Sequence, residues 1–140
     1  MKCLSIRQPW SWAILHAGKD IENRSWRTGF RGRVLIHAGK RLDFQPRWTD
    51  WEGRRDWLDL GGAVADLHLG AIVGVATLVD CLPHEKVHSR WAEHTPGTYG
   101  FVLTDQRAFK ETIPYNGRLG LFDVPASVVR EALQAVGLCP

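Results

Sequence analysis

Gly18-Lys19-Asp20-Ile21-Glu22-Asn23-Arg24 sets a cation, a carboxylate and a second cation just after a glycine. If Gly18 closes a helix and residues 20–25 run extended, side chains alternate, so Glu22 and Arg24 share one face and Lys19 stands at the mouth of the turn. Such a trio makes a small charged pocket in which Glu22 would hold or exchange a proton. The same spacing also fits a surface ion pair at a strand start, an arrangement that contributes little.

Upstream, residues 2–7 alternate weakly and predict a strand. Pro9 suits the first turn of a helix, and Trp10, Ala13, Ile14 and Ala17 recur at the spacing of one apolar stripe. Arg7 and Gln8 immediately precede this helix. They either project beside Lys19 or serve as a solvated arginine and a capping glutamine.

Downstream, residues 20–26 and 33–38 read as strands joined by a turn through Thr28 to Gly32. In the second strand Val34, Ile36 and Ala38 point one way and Arg33, Leu35 and His37 the other, which puts His37 on a partly polar face as a pocket-wall or structural histidine. Trp48, Trp51, Arg55 and Leu58 follow helical spacing and predict a helix near 47–59, with a short helix over 63–69. The apolar run Ala71 to Cys81 is the best central strand. Asp80 near its end is either a pocket carboxylate or a cap for the following turn.

Cys81, His84, His88 and His94 invite a metal reading, but the surrounding composition is that of a solvated segment, and no metal or other cofactor is expected. Residues 98–104 form another strand, on which Tyr99 either stacks a base or fills the core. Residues 110–124 supply the last strands, with Asn116-Gly117 as a strong turn signal. Pro125 opens a terminal helix carrying Val129, Leu133 and Val136 on one side, with Gly137 after its end.

A chain of 140 residues fits a single domain, 1–140, able to bury a core without disulfides or metal. Its 44% hydrophobic and 24% charged residues are ordinary for a soluble domain. No long apolar run or signal peptide is evident, so a cytosolic protein without a membrane partner is expected. Three widely spaced cysteines, Cys3, Cys81 and Cys139, imply neither a disulfide framework nor a zinc ribbon. The net charge is only +3, yet from Arg24 to Arg55 eight arginines and Lys40 face three carboxylates, a local excess of +6. Trp26, Trp48 and Trp51 lie in the same segment. Arginines interleaved with aromatics suit phosphate contacts and base stacking in single-stranded RNA, or equally a small core with long cationic side chains covering it.

Taken together, Leu4-Ser5-Ile6-Arg7-Gln8-Pro9-Trp10, Gly18-Lys19-x-x-Glu22-x-Arg24, Gly32-x-x-Leu35-Ile36-His37-Ala38, Ile113-Pro114 and Gly117-x-Leu119-Gly120-Leu121-Phe122 resemble the ASCH superfamily over almost the whole chain, in particular its branch with Glu inside the motif. The resemblance implies an α+β fold, a PUA-like β-barrel of about five to six strands with peripheral helices. Strand and helix order alone supports only a mixed α+β chain.

Three functions follow from the resemblance together with the residues. The first is a binding module for RNA or a modified nucleoside, with Arg7, Gln8, Trp10, Arg24, His37, Trp91 and Tyr99 as its pocket and no obligatory protein partner. Such a module predicts salt-sensitive affinity weakened by charge reversal at Arg31 or Arg33. The second is a hydrolase. Some family members act as amidohydrolases on N4-acetylcytidine with the motif Lys, a Thr in the position held here by Glu22, and a later Glu; another resembles a single-strand ribonuclease. The catalytic candidates are then Lys19, Glu22 and Glu93. The third is a regulatory module that binds a nucleoside-like ligand without turnover.

Overall fold

The computed structural model of the chain describes residues 1–43 and 67–140. The helix predicted near 47–59, with its Trp48 and Trp51, lies outside the described residues, as do residues 63–66 of the short helix predicted over 63–69. Residues 67–69 are not helical.

The described chain runs β1 (Lys2–Gln8), α1 (Trp10–His16), β2 (Ile21–Arg24), β3 (Gly32–Leu42), β4 (Ala71–Pro83), β5 (Tyr99–Pro114), β6 (Leu121–Asp123) and α2 (Ala126–Ala135). Its strands form one mixed sheet of six in the order β2-β5-β4-β3-β1-β6, in which β1 runs parallel to β3 and the other neighbours are antiparallel. The α+β fold stands as expected, but the closed barrel does not. Among the described residues β2 and β6 are the two outer strands and do not pair with each other. Curvature comes instead from the long β4–β5 ladder, whose register shifts three times, and each such irregularity bends and twists the strands.

Both faces of the sheet are covered. Leu4, Ile6, Val34, Ile36 and Ala38 pack with Ile14 of α1, while Cys3, Leu35, Ile72 and Val75 pack with Val129 and Leu133 of α2. This two-sided burial refines the reading of β3. Its alternation is as expected, and the face with Arg33, Leu35 and His37 is buried as well as partly polar, since Val34 to Ala38 are all buried.

Two further expectations change at β5. The separate strands expected at 98–104 and from 110 are one strand, because Thr104 and Arg107 stay in the ladder opposite Thr77 and Val75 while the residues between them bulge, with Asp105 at φ 51°. Asn116-Gly117 does not join two paired strands either. It sits in the segment that leads from β5 to β6, and β6 pairs with β1.

Candidate functional site

The site begins where α1 ends. Gln8 caps the helix start, its Oε1 accepting the Trp12 N–H at 2.9 Å while its Nε2 donates to His68 O at 3.0 Å. Gln8 is therefore buried within the helix cap, the second of its two sequence readings. At the other end Gly18 turns the chain with φ +72°, a left-handed conformation that glycine adopts without a Cβ clash. That turn sends Lys19 inward rather than to the mouth of the turn. Only 2% of its side chain is exposed.

Lys19 Nζ donates to Ile21 O and, at 3.0 Å, to Glu22 Oε1. It also lies 5.7 Å from the centroid of the Trp10 ring, within reach of a cation–π contact. On the other oxygen, Arg24 Nη2 stands 3.0 Å from Glu22 Oε2 and donates to Ser5 O at 2.7 Å. The alternation in β2 thus brings Glu22 and Arg24 onto one face, as the spacing predicts. Burial alone would raise the Glu22 carboxyl above its usual range; the charges of Lys19 and Arg24 and their hydrogen bonds outweigh it and hold the group below that range.

Glu22 and Arg24 open onto a cleft of about 1100 Å³. Of the sequence candidates, Arg7, Trp10, His37 and Glu93 also line it. Lys19 sits behind Glu22, outside that lining. Trp91 is a buried support, edge-on to Trp10 at 6.4 Å, and Tyr99 packs against the core cluster around Phe101. Neither Trp91 nor Tyr99 is among the cleft residues. Arg31 and Arg33 lie elsewhere too: Arg31 pairs with Asp80 at 3.3 Å, and Arg33 donates to Cys139 O. β4 runs on past Asp80 to Pro83, so Asp80 neither ends the strand nor caps a turn; its Oδ1 accepts the Cys81 N–H at 2.8 Å, and it is not among the cleft residues.

His37 forms part of the floor. Its Nε2 lies 2.7 Å from Tyr115 O, and since a carbonyl can only accept, Nε2 carries the proton; Nδ1 then accepts from Ser5 Oγ at 2.9 Å. Burial lowers the pKa of His37, the Tyr115 carbonyl opposes that shift, and Lys40 adds to it. The neutral ring therefore fastens the segment after β5 over the cleft.

Several contributors are not evident from spacing. Asn23, an unspecified position within the motif, donates from Nδ2 to Trp91 O at 2.9 Å and accepts the Glu93 N–H at 3.1 Å, so it sets where Glu93 enters the cleft. Asp20 adds a second tether, accepting from Ser89 Oγ at 2.6 Å. Asp43 receives the Trp10 indole N–H at 3.1 Å. The rim cations Lys40, Arg41 and Arg118 complete the wall. The charge excess of residues 24–55 pointed toward the first two, and the glycines around Arg118 marked its loop.

Among the described residues no cluster of His, Cys, Asp and Glu is arranged to hold a metal, and no helix is long and apolar enough to cross a membrane. Cys3 and Cys81 are buried free thiols and Cys139 is exposed.

A six-stranded mixed sheet covered by two helices is the α+β fold of an ASCH-type domain. Residues 4–117 match the family model of the ASCH domain, and the chain belongs to that family. Activating signal cointegrator 1 of Mus musculus is 24% identical over 141 residues, covering 90% of this chain and 22% of that protein. The Homo sapiens protein of the same name is 23% identical over 132 residues with the same coverage, so the chain spans about a fifth of the length of these relatives. The crystal structure of ASCH from Zymomonas mobilis superposes with a TM-score of 0.56 at 14% identity, over 96% of this chain and 94% of that one. A tyrosine-to-phenylalanine mutant of the Zymomonas protein gives 0.55 at 13% identity, over 99% and 98%.

Proposed function

We propose that this ASCH domain, of the branch with Glu inside its motif, recognises RNA or a nucleoside-type unit of it in the cleft beside Glu22 and Arg24. One observation carries the reading: two half-buried indole rings, Trp10 and Trp26, share the cleft with Arg7, Lys40, Arg41 and Arg118. Among the described residues none of these four cations has a carboxylate partner. Indoles offer stacking to any base, and unpaired cations offer contacts to phosphate. Trp26 is braced edge-on against Phe101 at 5.0 Å, so little ordering remains to be done when a base arrives.

Fluorescence anisotropy of a labelled single-stranded RNA tests this reading. The wild-type protein binds, and Trp26→Ala weakens binding by about 1–3 kcal/mol, the usual value of one stacked base. Binding that is unchanged in Trp26→Ala and in Arg118→Glu places the RNA elsewhere.

Hydrolysis is the second reading, favoured by Glu93: it is exposed, it lines the same cleft as Glu22, and Asn23 fixes its backbone. On this reading Glu93 exchanges protons with the substrate, while Lys19 acts from behind through Glu22. Incubation with N4-acetylcytidine, followed by its ultraviolet spectrum, decides the matter. Conversion to cytidine that is lost in Glu93→Gln supports hydrolysis, and no conversion at high protein concentration removes the amidase.

A further inference from the structure

Glu22 is a buried carboxylate with spare hydrogen-bonding capacity. One oxygen accepts from Lys19 and the other pairs with Arg24, both at 3.0 Å. An ionised carboxylate offers about four acceptor sites, which leaves about one on each oxygen. Lys19 occupies the inner side, and the open side of the group is the cleft. A ligand that seats there strips water from these acceptors and must return two adjacent donors, or else leave a buried charge under-solvated.

We propose that the cleft selects guanine, read by Glu22 through the adjacent N1–H and N2–H donors of the base, with the nucleotide phosphate held at the cationic rim. This inference rests on the nucleotide-binding reading above. Guanine alone among the four RNA bases presents two neighbouring donors on its pairing edge. Adenine and cytosine present one donor beside an acceptor, and uracil presents a donor flanked by two acceptors, each of which would face the carboxylate with a lone pair. Cationic ligands with paired donors, such as guanidinium or amidine groups, also match a carboxylate, but Arg7, Lys40, Arg41 and Arg118 repel them. The cleft favours a ligand that combines a donor edge with an anionic end. A guanosine phosphate has both.

Calorimetric titration of the wild-type protein with GMP, AMP, CMP and UMP, then with IMP and 1-methyl-GMP, tests the proposal. GMP should bind at least about tenfold more tightly than the other three, as one well-placed bidentate contact allows. IMP, which lacks the N2 amine, and 1-methyl-GMP, which lacks N1–H, should both lose that advantage. Glu22→Gln should bind the four nucleotides with similar affinity. If that variant does not fold, the analogue series on the unaltered protein still decides. Four equal affinities overturn guanine selection while the nucleotide cleft stands, and absence of binding to any nucleotide and to RNA overturns both.

Discussion

Lys19 Nζ and Glu22 Oε1 meet at 3.0 Å, with only 2% and 9% of the two side chains exposed. The residues are three apart, and the left-handed turn at Gly18 between α1 and β2 leads directly into the segment that carries both. The pair does not present the lysine to solvent. It fixes an ionised carboxylate on the cleft wall, with Arg24 completing the triad.

Removing Lys19 leaves the buried Glu22 carboxylate with Arg24 as its one remaining charge partner, and loss of one partner from a buried ionic group costs more than the pair contributes. Lys19→Met should therefore lower the unfolding free energy by about 3 kcal/mol. The double variant Lys19→Met/Glu22→Gln should recover part of that loss. Denaturant unfolding of the three proteins checks both statements.

Stability should fall in two steps on acidification. The folded-state pKa of His37 lies below its ordinary 6.5, so the unfolded chain takes up the proton first, and stability drops as the pH falls from about 7 through that range. Glu22 is likewise depressed below its ordinary 4.5, so its contribution is present above that pH and is lost as the pH falls further. In His37→Asn the upper step should shrink while the lower one stays. A profile that drops equally in both proteins between pH 7 and 5 contradicts the assignment.

Gly117 lies close to the Ser5–His37 contact, where an added Cβ would come within 2.8 Å of Ser5 Oγ and 2.9 Å of His37 Cε1. Gly117→Ala must lift the loop or displace the histidine. It should cost about 1–3 kcal/mol of stability and weaken RNA binding together with it. Parallel unfolding and anisotropy measurements would show both losses.

Asn23 supplies two hydrogen bonds to residues 91–93. Asn23→Ala should cost about 1–3 kcal/mol and raise amide hydrogen exchange at Glu93, whose N–H it holds. Unchanged exchange there would mean that the tether from Asp20 to Ser89 suffices.

Local patterns in the sequence carry the elements well. The stripe Trp10, Ala13, Ile14 and Ala17 gives α1, and the apolar run from Ala71 gives β4, because helix and strand periodicities follow from which residues must be buried. The sheet order is not local. Asp105 to Arg107 interrupt the apolar pattern between the two expected strands, although Arg107 stays in the ladder opposite Val75, and Asn116-Gly117 carries turn chemistry without naming the strands it connects. At the site, spacing within β2 shows that Glu22 and Arg24 share a face. It does not show that Lys19 turns inward, because that depends on the Gly18 conformation and on the Trp10 ring. Arg118 comes from the other end of the chain and reaches the cleft through tertiary packing.

Binding of RNA in the cleft is tested most directly by the salt dependence of RNA affinity. Each phosphate contact contributes about 0.7 to the slope of log affinity against log salt for a single strand. Arg41→Glu/Arg118→Glu should reduce the wild-type slope by about 1 or more, and Arg31→Glu/Arg33→Glu, outside the cleft, should leave it close to wild type. A loss of slope in the Arg31/Arg33 variant with no change in the Arg41/Arg118 variant would contradict the cleft as the RNA site.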